Sequence, residues 1–207
     1  MTTNVNTSMK ERPILFSKPM VQAILVGRKT MTRRVIKPQP DSRGLRTTDV
    51  LFEDYHGKEF KCPYELGMIL WVRETFRNAH GMPTGPRYEY KATALKDGVP
   101  IDEPWKPSIF MPREACRIML EITNIRVERL QDISEEDAIN EGVEIAAYRP
   151  DIIYKQYTLD DNKRKIKLSG WETAYYSFKS LWQSINGPES WTANPWVWVI
   201  EFKRIDR

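Results

Sequence analysis

Eight consecutive residues near the front of the chain, 27–34, could do chemistry. The segment reads Gly-Arg-Lys-Thr-Met-Thr-Arg-Arg and holds one flexible residue, four cations and two hydroxyls. Lys29, Thr32 and Arg34 are residue types that bind phosphate, or that do acid–base and nucleophilic work when apolar surroundings shield them from water. The alternative is a solvated basic turn, which composition alone favours.

The neighbouring pattern predicts how this segment is positioned. Residues 19–26 place apolar side chains at helical spacing, which indicates a short helix. Gly27 predicts the end of that helix because glycine adopts positive φ without steric cost. Residues 30–36 alternate loosely as in a strand, and Pro38 stops that strand.

The remaining elements follow from periodicity and from breaking residues. Ser134 is a natural N-cap, Asp137 gives a spacing like that of a capping box, and Gly142 predicts a helix end. The predicted strands are 14–16, 66–72, 88–93, 116–130 and 196–202, with a weak hairpin at 50–60; the predicted later helices are 134–142 and 171–185.

These elements predict an α+β protein that is mainly β. Strands with non-local spacing, few short helices and long loops favour a small β-barrel with helices packed around it. We expect residues 1–12 to be a flexible lead-in and residues 13–207 to form a single domain. Its long loop insertions are expected around 38–63, 77–113 and 146–169.

Charge is distributed unevenly along the chain. The net charge is +4, but residues 28–46 carry seven cations against one anion, so the rest of the chain sums to −2. Such a segment suggests a patch that faces a polyanion, and nucleic acid is the expected one. A solvated loop is the alternative.

Two cysteines without a CxxC motif argue against a disulfide framework and favour a reducing, cytoplasmic setting. No apolar run is long enough to span a membrane, and the polar start lacks a secretory signal. The scattered cysteines and histidines match no zinc pattern, and no P-loop or dinucleotide fingerprint is present. We therefore predict no metal, no cofactor and no membrane partner.

Four stretches together resemble the ASCH domain family of the PUA-like β-barrel superfamily. The segment Gly27-x-Lys29-x-x-x-x-Arg34 after a short helix is similar to the family signature. Met31 and Arg33 occupy positions that vary. The other stretches are 67–74, 130–143, and 178–182 followed by 194–202, an ending that resembles a larger phage and prophage branch, sometimes labelled as morphogenesis proteins.

The resemblance implies binding of RNA or a modified nucleoside in a cleft beside the barrel. One small bacterial member is an amidohydrolase that removes acyl groups from N4-acylated cytidine with a lysine, a threonine and a glutamate. Carried onto this sequence, these residues correspond to Lys29, Thr32 and Glu141, which would be the catalytic set.

The chemistry of this set depends on the charge of Lys29, since an ordinary lysine is protonated at neutral pH. Burial or the charges of Arg28 and Arg34 would lower its pKa, so that it could take the Thr32 proton, while Glu141 would hold it charged. On a regular strand, positions 29 and 32 point to opposite faces, so one shared cleft requires a turn or a bulge.

Other side chains are candidates for ligand contact. The expected phosphate and nucleic-acid ligands are Arg28, Arg33, Arg34 and Lys37, with a solvated charge run as the alternative. Trp105 and Trp191 lie in loops and could stack on a base, although capping of the barrel end is the commoner role. Arg73 and Glu74 could belong to the cleft, but ion pairing of Glu74 with Arg73 or another cation is favoured.

Three classes of function remain open on the sequence. The protein could bind RNA or a nucleoside without chemistry, or act as an amidohydrolase on an N-acylated pyrimidine nucleoside. A metal-dependent ribonuclease is a further enzymatic alternative. The third class is a non-enzymatic phage morphogenesis or interaction protein.

Overall fold

The computed structural model describes residues 10–40, 43, 45–47, 52–79, 87–94, 103–148, 152–157 and 170–205. Within these ranges the chain is a mixed α and β protein in which strands outnumber helices, as the sequence predicts. The strands are β1 (Glu11–Leu15), β2 (Met31–Val35), β3 (Leu45–Thr47), β4 (Phe52–Asp54), β5 (Glu59–Phe60), β6 (Ile69–Arg73), β7 (Phe76–Asn78), β8 (Tyr88–Tyr90), β9 (Met119–Arg129), β10 (Ile145–Tyr148), β11 (Ile152–Lys155), β12 (Gly170–Trp171) and β13 (Trp196–Ile205).

The helices alternate with these strands along the chain. Three further short turns have 3₁₀ geometry, at Ser108–Phe110, Arg113–Ala115 and Leu130–Asp132. The α-helices are α1 (Lys18–Leu25), α2 (Glu135–Asn140), α3 (Ala174–Asn186) and α4 (Glu189–Thr192). Within the described ranges, no helix is long and apolar enough to cross a membrane.

The chain divides into two compact units, each built from separate stretches of sequence. Unit 1 comprises Met1–Val26, Tyr64–Thr123 and Phe202–Arg207. In it, β1 runs parallel to β6, and β6 pairs antiparallel with the start of β9. Strands β7 and β8 form a separate hairpin over a small core of Phe76, Met111, Ala115 and Cys116.

Unit 2 comprises Gly27–Pro63 and Asn124–Glu201 and contains the basic segment. Strand β2 pairs antiparallel with β13, so that Thr32 lies opposite Ile200 and Arg33 opposite Val199. Two three-stranded sheets, β3-β4-β5 and β10-β11-β12, belong to the same unit. Its core packs helices α2, α3 and α4 against β2 and β13 through Met31, Leu130, Ile133, Ala138, Val143, Ala174, Phe178, Trp182, Trp191, Val197 and Val199.

The predicted elements are present within a few residues of their expected bounds. Helix α1 ends before Gly27, whose φ of 74° is in the region that glycine favours, and α2 ends before Gly142 at φ 89°. The expected weak hairpin corresponds to β4 and β5. The predicted closed barrel is not found among the described strands, whose pairings form open sheets.

Helix α2 begins with an N-cap and also caps its neighbour. The Ser134 hydroxyl accepts the Asp137 N–H at 3.1 Å, as its residue type predicts. The Glu135 carboxylate accepts the N–H groups of Ala174 and Tyr175, each at 2.7 Å, where α3 begins. A carboxylate at that position accepts from two N–H groups that have no partner inside the helix. Its negative charge also interacts favourably with the positive end of the helix dipole.

We expect Glu135→Ala to destabilise the protein by about 1–2 kcal/mol, because it removes two charge-assisted hydrogen bonds at the start of α3. The free energy of unfolding from urea titration measures the effect. Glu136→Ala is the matched control, since Glu136 is the next residue of the same helix and is exposed. Equal losses in the two variants would contradict the capping role.

Candidate functional site

Three consecutive residues of the basic segment bind the end of helix α2. The Thr30 N–H donates to the carbonyl oxygen of residue 140 at 2.9 Å. The Lys29 Nζ donates to the carbonyl of residue 141 at 2.9 Å, and the Arg28 Nε to that of residue 142 at 3.3 Å. Carbonyls at a helix end lack partners inside the helix, and cations are favourable there, so segment 28–30 serves as a cap.

Lys29 also forms a buried ion pair with Glu141. Its Nζ lies 2.7 Å from Oε2 of Glu141. Lys29 is 2% exposed and Glu141 is 4% exposed. The structure thus brings together two of the three residues that the resemblance assigns to catalysis, and it removes both from bulk water.

Burial and the charge of Glu141 shift the pKa of Lys29 in opposite directions. Loss of hydration on burial lowers the pKa of Lys29 below its ordinary value of 10.5, and this effect is the largest. The Glu141 carboxylate raises the pKa by charge and hydrogen bonding, whereas Arg34 and Arg33 lower it. The balance favours a lysine that loses its proton more readily than one in water.

Arg33 lies on the same face of β2 as Met31 and contacts Glu141. Its guanidinium is buried, and Nη1 lies 3.4 Å from Oε1 of Glu141. Nη2 lies 2.6 Å from Oδ2 of Asp137 and 3.1 Å from Oε2 of Glu128. Arg33 was predicted to contact phosphate, but here three carboxylates surround it and no solvent reaches it.

Arg126 extends this charge network along β9. Its guanidinium makes short contacts with Glu128, Asp137 and Glu201. Among the described contacts, the three cations Lys29, Arg33 and Arg126 therefore meet four carboxylates. The Asp137 side chain, which the sequence predicts to complete a capping box, instead binds the two arginines.

Thr32 lies on the other face of β2. Successive side chains of a strand point to opposite sides, so Thr32 shares its face with Arg34 and, across the pairing, with Ile200. Thr32 is buried. The structure therefore separates Thr32 from Arg33 and Met31 across the strand.

The loop after Glu141 is fixed by Tyr157, which sequence reasoning did not single out. The Tyr157 hydroxyl accepts the Glu144 N–H at 2.9 Å, and Lys155 pairs with the Glu144 carboxylate at 2.8 Å. Burial raises the pKa of Tyr157 to about 12, against smaller opposing effects of the hydrogen bond with the Glu144 backbone and of the Arg28 charge. Tyr157 thus stays protonated and holds the backbone that follows Glu141.

The other predicted phosphate ligands differ in their surroundings. Lys37 is exposed after β2, and Arg34 is partly buried on that strand opposite Trp198. Arg28 is partly buried and donates to the carbonyl of Gly142. Of this set, Lys37 is the residue most open to solvent.

The two tryptophans proposed for base stacking have different environments. Trp191 is 5% exposed and packs against Phe178 and Tyr175 in the core of unit 2. Trp105 belongs to unit 1, and the guanidinium of Arg77 lies over its ring at 4.5 Å. Trp191 is therefore part of the hydrophobic core, and the Trp105 ring makes a cation–π contact with Arg77.

Arg73 and Glu74 lie in unit 1. The Arg73 guanidinium donates to the backbone carbonyls of Ile109 and Met111. Glu74 is buried and forms a two-pronged pair with Arg117, with distances of 2.8 and 3.0 Å. Ion pairing of Glu74, the favoured interpretation, is thus observed, with Arg117 as the cation.

Simple spacing rules could have found part of the network. Arg126 and Glu128 are two apart on a strand, so they share a face, and Asp137 is four residues before Glu141, so they share a helix side. Nothing in the sequence indicates that the two pairs meet Arg33. No group of three or more His, Cys, Asp or Glu side chains suited to a metal ion is found within the described ranges.

The lowered pKa of Lys29 predicts a pH-dependent stability. Between that pKa and 10.5, the unfolded chain binds this proton and the folded chain does not, so the free energy of unfolding rises with pH. Below both values the burial cost is present in full. We expect wild type to gain stability relative to Lys29→Met as the pH increases towards 10.5, measured by urea titration.

Lys155→Met is the matched control for this measurement. It removes a lysine–glutamate pair of similar length, 2.8 Å, that lies partly in solvent within the same unit. Parallel pH profiles of wild type and Lys29→Met would contradict the lowered pKa.

Comparison of the chain with protein-family models, curated proteins and solved structures finds no match. The resemblance to the ASCH family therefore depends on Gly27, Lys29, Arg34 and the accompanying stretches of sequence.

Proposed function

We propose that this chain is an ASCH-type, PUA-like protein that recognises RNA or a modified nucleoside, and that it hydrolyses an N-acyl group on a pyrimidine nucleoside. The observation that carries the proposal is the buried contact of 2.7 Å between Lys29 and Glu141. Both residues belong to the catalytic set that the resemblance implies.

The surroundings of Lys29 support a role in acid–base chemistry. A solvated surface lysine remains protonated at neutral pH and cannot accept a proton. Lys29 is fully enclosed, and desolvation outweighs the opposing charge of Glu141, so its pKa is lowered. A lowered lysine pKa is typical of lysines that act as general bases.

The reaction assigns one task to each residue. The neutral Lys29 amine accepts the proton of the attacking hydroxyl as its oxygen bonds to the acyl carbon. The bond from that carbon to the exocyclic nitrogen then breaks, and the Lys29 ammonium returns the proton to the leaving amine. Glu141 holds the Lys29 side chain in place and stabilises the ammonium while it exists.

The attacking hydroxyl is assigned by the resemblance to Thr32. With Thr32 as nucleophile, an acyl ester forms on its oxygen and water then hydrolyses that ester to the free acid. Thr32 and Arg33 point to opposite faces of β2, so the role of the Thr32 hydroxyl is tested by its own variant. Thr32→Val removes the hydroxyl and keeps the shape.

We expect purified protein to release cytidine from N4-acylated cytidines, and Lys29→Met and Glu141→Gln to reduce kcat/KM by about 10²- to 10⁴-fold, the range for loss of a general acid or base. Product release measured by chromatography tests this over a panel of acyl chain lengths. Thr32→Val is expected to lose turnover to the same extent.

Two controls separate chemistry from folding. Lys155→Met should keep wild-type turnover, because it removes a lysine–glutamate pair that does not contact Lys29 or Glu141 in the described contacts. Circular dichroism verifies that each variant is folded. Absence of turnover by wild type across the panel would refute the hydrolase part of the proposal, and activity retained in Thr32→Val would assign the attack to water.

The recognition part of the proposal makes a separate prediction. If Lys37 contacts a phosphate, Lys37→Ala should weaken RNA binding and reduce the slope of log Kd against log salt by about one contact. Filter binding at several salt concentrations measures both quantities. Lys18→Ala, an exposed lysine at the start of α1, is the control. Equal effects of the two variants would contradict a phosphate contact at Lys37.

A further inference from the structure

We propose that Arg33 is a positioning residue that shares the Glu141 carboxylate with Lys29 and thereby weakens the hold of that carboxylate on the Lys29 ammonium. The inference rests on the proposed function for its catalytic meaning. The effect of Arg33 on the protonation of Lys29 does not depend on any reaction.

The geometry divides the two oxygens of Glu141 between two cations. Oε2 accepts from Lys29 Nζ at 2.7 Å, and Oε1 faces Arg33 Nη1 at 3.4 Å. All three side chains are buried. A carboxylate that faced Lys29 alone would direct its whole charge at the ammonium and stabilise the protonated form.

Arg33 is held in place by groups that do not contact Lys29 in the described contacts. Asp137 and Glu128 bind its Nη2, and Arg126 bridges the same two carboxylates. The guanidinium also lies over the ring of Phe178, with 5.9 Å between its central carbon and the ring centroid. Arg33 is therefore held through Nη2 and the Phe178 ring, whereas Glu141 lies beside Nη1.

Stability alone does not account for an arginine at this position. The Arg33 Nε is buried, and within the described ranges it has no hydrogen-bond partner. A buried donor without a partner is destabilising, and hydrophobic residues of similar volume often replace buried ion networks without loss of stability. An arginine whose position carries that cost is a candidate for a functional role.

The charged groups that act on Lys29 come from two elements. Glu141, at the end of α2, raises the pKa of Lys29, whereas Arg34 and Arg33 of β2 lower it. Arg34 lies on the other face of β2 from Arg33. In the described contacts Arg33 also lies beside Glu141, so it acts on Lys29 both directly and through the carboxylate.

The experiment follows the protonation of Lys29 itself. The Cε–Hε resonances of lysine report its titration by NMR, and the Lys29 signal is assigned from its loss in Lys29→Met. We expect Arg33→Met to move the titration midpoint of Lys29 to higher pH, because the cation that shares Glu141 is gone. Arg33→Lys, which keeps a positive charge there, should restore most of the wild-type midpoint.

Arg126→Met is the matched control, since it removes a cation of the same network that does not touch Glu141 in the described contacts. An unchanged Lys29 midpoint in Arg33→Met, or an equal rise in Arg126→Met, would overturn the inference. If Arg33→Met does not fold, Asp137→Asn replaces it. That variant leaves Arg33 with one carboxylate fewer, so the midpoint should fall, and a rise or no change overturns the inference.

Turnover provides a second and separable readout. Where the wild type hydrolyses an N-acyl nucleoside, the rising limb of its pH–rate profile should move to higher pH in Arg33→Met along with the Lys29 midpoint. If Arg33→Met shifts the Lys29 midpoint but the wild type shows no turnover, the positioning role of Arg33 is supported and the proposed hydrolase activity is refuted. If the wild type shows turnover but Arg33→Met changes neither the rising limb of the pH–rate profile nor the Lys29 midpoint, only the positioning role of Arg33 is refuted.

Discussion

The enclosure of the Lys29 amine is the constraint on which the arrangement of unit 2 depends. An ammonium taken out of water is strongly unfavourable unless a carboxylate and further hydrogen bonds replace its hydration. The end of helix α2 supplies both, through the carboxylate and the backbone carbonyl of Glu141. Gly27 follows the end of α1 at positive φ, and segment 28–30 then caps the end of α2 before β2 begins.

The contact also determines what lies around it. Glu141 is negatively charged at the end of a helix, where a carboxylate is unfavourable, and two cations offset that cost. One of them, Arg33, brings its own requirement for counter-charges, which Asp137 and Glu128 meet. These carboxylates in turn attract Arg126. A single buried lysine thus has a chain of charged partners reaching from β2 through α2 to β9, within one unit.

Much of the local structure could be predicted from the sequence, because it depends on single residues and short periods. Gly27 and Gly142 adopt the positive φ expected of helix ends, and Ser134 caps α2. The charge network could not be predicted, because its members are about a hundred positions apart and periodicity carries no information about which faces meet. Arg33 shows the consequence. A run of basic residues suggests a solvated patch, but strand alternation turns Arg33 inwards while Lys37 stays exposed.

Trp191 shows the same limit for aromatic residues. It lies between two breaking residues, which suggests a loop position open to a base, yet α4 carries it into the core beside Phe178. The candidate site therefore has fewer solvent-facing recognition groups than its composition suggests, and more buried charge. Buried charge that is nearly balanced is sensitive to small changes, since removal of one partner shifts the proton affinity of the rest. In the proposed reaction, Lys29 accepts and returns a proton without leaving its position. We propose that Arg33 weakens the hold of Glu141 on that proton, because it lies beside the same carboxylate, and that the arginine therefore belongs to the site together with the pair.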